Sequence, residues 1–401
     1  MSRADKSILL RSVRVPPSGP AAWRSHCSGG VIVPGAAAPV RTACGAGRPT
    51  REERLSTLRS CTAIDLGASS LRVRRGAGAP VAAMPARVVL EEQDTIFAMG
   101  EDAVAMEGRT WGALKLCRPT SGGTVADQRV TQIMVRTLMR ESGRARLTYG
   151  GRVGVCVSPA VTDLGAAALR QLCRDVGFTD IRLVPQALAA AVGAGIAVNT
   201  HYASVIVDLG AEHTSAALVV CGRVIASRSV RTGGDALDAL LLRHLREEHQ
   251  VVIGAAAAET LKTTLRGARD TVSVRGQDAV SARPRGLMLP LGELHEVLLP
   301  RAVAAVCDQV TAVLAGCPVE MAADVYERGV VLTGGGARLH GLVEAVRAES
   351  DLPVHVVEDC ELVAVKGTQL LMDVGWAGVD RSALRAAAIA TGELEPEPAA
   401  G

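Results

Sequence analysis

Three short stretches carry residue types and spacings able to do chemistry. AIDLGASS at 63–70 and IVDLGAEHTS at 206–215 each run an apolar strand into an Asp-x-Gly turn, and VVLTGGGARLHG at 330–341 runs a strand into three glycines. Backbone N–H groups in such turns cradle phosphate oxygens, and glycine lets the chain approach closely. A pair of aspartates can hold Mg²⁺ through water, because magnesium keeps several waters and needs few carboxylates. Taken singly, each stretch is most simply a hairpin or a tight connection. Their order says more: Asp208 follows Asp65 by 143 residues in a similar setting, and Gly334 follows Asp208 by 126. That arrangement implies two related domains, each offering one hairpin to a phosphate tail, with the glycine turn beside a base or ribose. The familiar alternatives are missing, since the chain has no G-x-x-x-x-G-K-[ST] loop and GGGARLHG does not satisfy G-x-G-x-x-G.

The elements that must position these turns alternate along the chain. RVGVCVSPA at 152–160 reads as a buried strand ending at a proline. DLGAAALRQLCRDVGF at 163–178 reads as a helix starting on an Asp cap, with Leu164, Ala168, Leu172 and Val176 at helical spacing and a stop at Gly177. IRLVP is a short strand, and QALAAAVGAGI is a small-residue helix suited to tight packing between layers. GDALDALLLRHLREEHQ is an amphipathic helix with Asp235 as its cap, and the last glycine turn opens a further helix. Such alternation predicts an α/β fold with sheets covered on both faces.

Composition bounds the partners. The 401 residues suffice for two ordinary domains; 48% are apolar and only 2% aromatic, so Ala, Val and Leu must fill the cores. The net charge of +3 hides an asymmetry, because residues 1–60 carry +7 and the remainder −4. With no basic groove and few aromatics to stack bases, the composition argues against nucleic acid. Ten scattered cysteines form no Cys-x-x-Cys pair and no Cys/His cluster at metal spacing, which speaks for a reducing cytoplasm and against zinc. Cys156 and Cys307 sit in apolar runs, as buried thiols do. No apolar stretch reads as approaching the roughly 18 residues of a membrane span. Residues 1–60 read as a disordered basic tail, with GVIVPGAAAPV at 30–40 too proline-broken for a signal peptide and SILLRSVRV at 7–15 as a weak membrane-touching candidate; 391–401 read as an acidic tail.

Seven colinear segments resemble the actin superfamily, and within it the bacterial MreB and Mbl cell-shape branch. Beyond the three turns they are RVGVCVSPAVTDLGAAALRQLCRDVGF, LVPQALAAAVGAGI, RTGGDALDALLLRHLREEHQVVIGAAAAETLK and AVKGTQLLMD, the whole covering about residues 61–385. The resemblance implies an actin-like (ribonuclease H-like) two-domain fold with a nucleotide cleft, domain I being 61–203 plus 362–390 and domain II 204–361. It implies ATP and Mg²⁺ as cofactors. Asp65, Gly67, Ala68, Ser69 and Ser70 fall on the first phosphate hairpin, and Asp208, Gly210, Ala211, Glu212, His213 and Thr214 on the second. Glu259 and Lys262 match the pair flanking adenine and ribose, and Gly334, Gly335, Gly336 and Ala337 match the adenosine motif. Asp65 and Asp208 are the implied metal carboxylates, and with Gln186 the implied catalytic set. Gln186 stands where this branch carries a catalytic glutamate; an amide orients water but is no strong base, so slow hydrolysis is the most it supports. The implied partners are copies of the same chain in filaments, the inner face of the cell membrane and the cell-wall synthesis machinery, with a cytoplasmic, peripherally membrane-associated location.

The departures are informative. Ala68 and Ser70 replace a threonine and an asparagine; Ala211, Glu212 and His213 replace two glycines and a threonine. A carboxylate beside a triphosphate adds repulsion unless it points away or binds metal. Two other readings therefore stand: a divergent actin-fold scaffold with little or no hydrolysis, and, ranked below it, a small-molecule kinase of the same superfamily. Among weaker signals, His244 and His249 lie about 140° apart on a helix and should not share a face; His213 reads as a surface-facing turn residue, Trp111 as a half-buried core aromatic, and Lys366 as a residue near the domain junction.

Overall fold

The computed structural model describes residues 61–76, 79–142, 151–265, 270–374 and 376, all within the compact unit Arg51–Gly401. Both predicted tails, with the segments at 7–15 and 30–40, lie outside the described residues, as do 375 and 377–390. In chain order the strands are β1 (Thr62–Leu66), β2 (Ser70–Arg75), β3 (Val81–Pro85), β4 (Val88–Glu91), β5 (Thr95–Met99), β6 (Lys115–Cys117), β7 (Thr120–Ser121), β8 (Thr124–Val125), β9 (Arg152–Val157) and β10 (Asp180–Pro185). They continue with β11 (Ser204–Leu209), β12 (Thr214–Val220), β13 (Arg223–Val230), β14 (Val251–Val252), β15 (Thr271–Asp278), β16 (Pro284–Pro290), β17 (Val330–Thr333) and β18 (Val354–Val356). The helices are α1 (Glu101–Ala105), α2 (Gln128–Glu141), α3 (Asp163–Val176), α4 (Gln186–Gly193), α5 (Gly234–Glu247), α6 (Ala255–Thr264), α7 (Leu291–Leu314), α8 (Val319–Arg328), α9 (Leu342–Ser350) and α10 (Val363–Asp373).

Two five-stranded sheets share one topology. The first runs β3-β2-β1-β9-β10 and the second β13-β12-β11-β17-β18. In each, a hairpin supplies the centre (β1–β2, β11–β12), a further antiparallel strand extends one side, and two parallel strands extend the other. Central strands buried on both faces read as continuous apolar runs, and β12 is buried along its whole length. Smaller sheets, β5-β4-β6 and β14-β15-β16, and the β7–β8 hairpin flank the main ones.

Each sheet has its own core, one running from Ile64 to Leu183 and the other from Ala203 to Cys360. A third cluster joins them, built on Ala187–Ala191 of α4 and on Val363, Ala364 and Leu371 of α10, against Ile206, Ala217 and Val219. Small side chains bring these two helices to backbone contact. A Cβ on Gly367 would collide with the carbonyl oxygen of Ala189, and one on Gly193 with that of Val363.

Local boundaries follow ordinary capping with some corrections. α3 starts one residue earlier than its first acidic residue suggested: Thr162 is the cap, accepting from Gly165 N at 3.2 Å, and Gly177 at φ 115° ends the helix. The cap of α5 is Gly233, not Asp235. Trp111 is 72% exposed rather than half-buried in a core. Lys366 binds Asp359 at 2.9 Å. Contrary to the sequence reading, α7 is long and apolar enough to cross a membrane by length and composition. Leu291, Leu294, Leu298, Ala302, Val306, Val310 and Val313 make a buried stripe at helical spacing against the second core.

Gly367→Ala is expected to lower stability by more than about 3 kcal/mol, because backbone on both sides leaves nothing to yield. Gly292→Ala, in the first turn of α7 with nothing within 4 Å of the new methyl, should instead stabilise by about 0.5–1 kcal/mol. Denaturant melts of the two variants check the contrast.

Candidate functional site

The two matched hairpins and the glycine turn converge on one cavity of about 360 Å³, within the usual range for small-molecule sites. Asp65, Gly67, Ala68, Ser69 and Ser70 line it from the β1–β2 turn; Asp208, Gly210, Ala211, Glu212 and His213 from the β11–β12 turn; Gln186, Glu259, Lys262, Gly334, Gly335 and Gly336 complete the expected set. Two expected residues do not line it. Thr214 is buried with its hydroxyl donating to Thr232 O at 2.6 Å, and Ala337 is packed in the second core. His213 is not surface-facing; it is half-buried against the cavity, 4.0 Å from Glu212.

Hydrogen bonds from α5 fix the second turn. The N–H groups of Gly234 and Asp235 donate to Gly210 O and Ala211 O at 3.0 and 2.8 Å, so first-turn donors of the helix hold the loop. This approach requires glycine at 233, where a Cβ would meet Ala211 O at 2.5 Å. Gly334, at φ 82°, starts the glycine turn where a side chain would strike Leu209 O.

Asp65 and Asp208 both line the cavity and are half-buried, yet their surroundings differ. The register of the first hairpin sets Asp65 opposite Arg72, which ion-pairs with it at 3.1 Å; the second sets Asp208 opposite Ser215. Asp208 accepts instead from Gln186 Nε2 at 2.8 Å and from the Thr333 hydroxyl at 3.1 Å. Burial, with the charge of Asp65 behind it, pushes the Asp208 carboxyl up to about 6. Burial also raises Asp65, with Arg72 pulling the other way. An uncompensated buried carboxylate suits a divalent cation, so the floor fits Mg²⁺ chiefly through Asp208. Arg72 offsets part of the Asp65 charge, whereas Asp208 accepts from neutral donors.

Across the cavity mouth the departures find partners. Glu212 lines the cavity yet is held by the other half: its Oε2 accepts from Gly122 N at 2.5 Å and Ser121 Oγ at 3.1 Å, while Arg118 lies 4.0 Å from its other oxygen. Arg118 also makes a two-point ion pair with Asp235, one arm at 3.0 Å. Arg87 reaches Glu259 at 3.6 Å. Lys262 is tied to Asp238 at 2.7 Å and Gly234 O at 2.9 Å, and burial raises Asp238 to about 6. Ser70 Oγ donates to Met84 O at 3.3 Å, away from the cavity. Sequence reasoning missed Arg72, Arg118, Ser121 and Gly122. Hairpin register could have found Arg72; nothing in the short β6–β8 region marks the others.

The raised Asp208 carboxyl carries a sign. Its folded value lies above its unfolded one, so the fold binds the extra proton between about pH 4 and 6 and loses stability as pH rises through that window. Asp208→Asn should therefore raise the melting temperature at pH 7.5, with the gain shrinking as pH falls towards 4; Gln186 can turn its amide to suit. Thermal melts across pH 4.5–8 test this, and no gain at neutral pH would contradict it.

Comparison with known proteins places this geometry. A family model described as MreB/Mbl protein matches residues 59–375. The cell shape-determining protein MreB of Escherichia coli K12 is 34% identical over 309 residues, 74% of this chain and 88% of that one. The cell shape-determining protein Mbl of Bacillus subtilis 168 is 31% identical over 317 residues, 77% and 95%. Among solved structures, MreB 5 of Spiroplasma citri bound to AMPPNP superposes with a TM-score of 0.74 at 24% identity, covering 79% of this chain and 97% of that one. The MamK double helical filament gives 0.65 at 18% identity, covering 79% and 99%. Duplicated sheets around a cleft, joined at α4 and α10, are the actin-like fold, and this chain belongs to the MreB/Mbl family.

Proposed function

We propose that the chain is an ATP-binding, actin-like cytoskeletal protein that polymerises on the inner face of the cell membrane and helps organise cell-wall synthesis. The observation that carries this reading is the pair of matched aspartate hairpins facing one cavity, closed by the glycine turn. The residues suit ATP: both hairpins offer phosphate-side backbone, Gly334–Gly336 and the Glu259–Lys262 wall flank the base and ribose, and Asp208 with water would hold Mg²⁺. The cation neutralises phosphate charge when bound. A relative solved with AMPPNP and another solved as a double helical filament support nucleotide binding and self-assembly. Curated relatives named for cell-shape determination support the wall role.

Hydrolysis in this reading is slow. Gln186 offers an amide, already donated to Asp208, where a base would be needed. A second reading, a scaffold that keeps fold and filament contacts with almost no hydrolysis, is favoured by the same bond together with the Glu212 contact across the mouth.

Three measurements test the proposal. Titration with fluorescent ATP plus Mg²⁺ should show one site per chain, sedimentation should show nucleotide-dependent polymer, and anionic vesicles should co-pellet it. Absence of both ATP binding and polymer in any nucleotide state would sink the proposal, whereas polymer without phosphate release would select the scaffold. Because Glu212 bonds to Ser121 and Gly122 across the mouth, Glu212→Gly should weaken ATP by roughly fivefold, about 1 kcal/mol. Tighter binding would show instead that the carboxylate repels the nucleotide.

A further inference from the structure

His244, His249 and Glu293 converge away from the cleft, contrary to the helical-wheel expectation that the two histidines face apart. The wheel fails because α5 ends at Glu247 and the chain then turns, with Gln250 at φ 54° leading into β14. His249 swings back beside His244, their rings edge-on with centroids 5.4 Å apart. Both Nε2 atoms point at a single oxygen, Glu293 Oε1, at 2.7 and 2.5 Å.

We propose that these three side chains form a binding site for a borderline divalent cation, Zn²⁺ by preference. The three ligand atoms lie within 4.8 Å of one another, so small shifts bring each to the roughly 2.0–2.2 Å that zinc takes from imidazole nitrogen and carboxylate oxygen. Two imidazoles with one carboxylate select zinc over magnesium or calcium, which prefer all-oxygen shells. The side chains are 17%, 25% and 31% exposed. That lets an ion enter and leaves the fourth tetrahedral position to water. Each neutral imidazole frees its Nε2 lone pair by moving its proton to Nδ1, so the neutral pair releases no proton on binding.

Backbone already sets the geometry. His244 stands in the last turn of α5 and Glu293 in the first turn of α7. His249 is held by the start of β14, which pairs with β15, and by Ala279 N donating to Gln250 O at 2.9 Å. Without metal the same groups make a charge-assisted clip, and the His249 hydrogen bond, with burial opposing it, keeps the Glu293 carboxyl below its usual range. With Zn²⁺ the clip becomes a staple between α5 and α7, independent of the nucleotide.

The full-length chain, stripped with EDTA and dialysed, is titrated with Zn²⁺ by calorimetry and with Co²⁺ by visible absorption. One zinc per chain is expected, with a rise in melting temperature that Mg²⁺ does not reproduce. The Co²⁺ spectrum should show tetrahedral bands without thiolate charge transfer. His249→Asn and Glu293→Gln, each compared with wild type by melting in EDTA, should weaken zinc by at least about tenfold. A wild-type chain that takes up no zinc overturns the site. So does retention of wild-type affinity in either variant, or a thiolate-type spectrum pointing to the cysteines instead.

Discussion

Everything at the cleft depends on the backbone contact between α4 and α10. Gly193 and Gly367 each face the other helix's main chain, and no side chain, however flexible, lies between them. Packing this close makes the two sheets share the alanine-rich third cluster while leaving their own cores separate. Gln186 begins α4 just past the end of β10, and this puts its amide beside Asp208 of the opposite sheet. A wider crossing would separate Asp208 from Gln186, and the matched hairpins would no longer face one space.

The two halves share topology but not electrostatics. Both hairpins place an aspartate one residue before the strand's end, yet the cross-strand partner is arginine in one and serine in the other. Antiparallel partners sit close enough to pair charges, so one aspartate is partly offset from within its own hairpin and the other is left to neutral donors. A duplicated scaffold has thereby acquired one resting carboxylate and one with charge to spare. The acidic substitution at the second turn then serves closure, because its oxygens are taken up by a loop of the other half.

Much of this was legible in the sequence, for physical reasons. β-branched runs ending in Asp-Leu-Gly, a capped helix ending at Gly177, and the alanine helix all state their structure locally, and colinearity of the motifs states the fold. Arg72 was legible in principle, since the loop length fixes the register. The contacts of Arg118, Ser121 and Gly122 were not: β6, β7 and β8 span three, two and two residues, too short for any period. The pairing of His244 with His249 escaped because a wheel assumes that the helix continues, whereas a left-handed residue six positions after His244 redirects the chain. Trp111 shows that rarity of aromatics does not make each one a core residue.

Floor and mouth act as one electrostatic unit. Buried like charges at the floor favour a more open, wetter cleft, since solvent would relieve them. The ion pairs and the Glu212 bonds at the mouth oppose that opening, drawing the two halves together over the same space. A bound anionic ligand with its cation would remove the floor's repulsion and leave the mouth contacts unopposed. Binding and closure are then coupled without any new contact being required, and the strength of the coupling is limited by how much floor charge remains to be neutralised. Arg72 has already offset part of that charge, which weakens the floor's drive to open. Such a cleft would gain less closure from a bound anionic ligand and lose less when that ligand leaves.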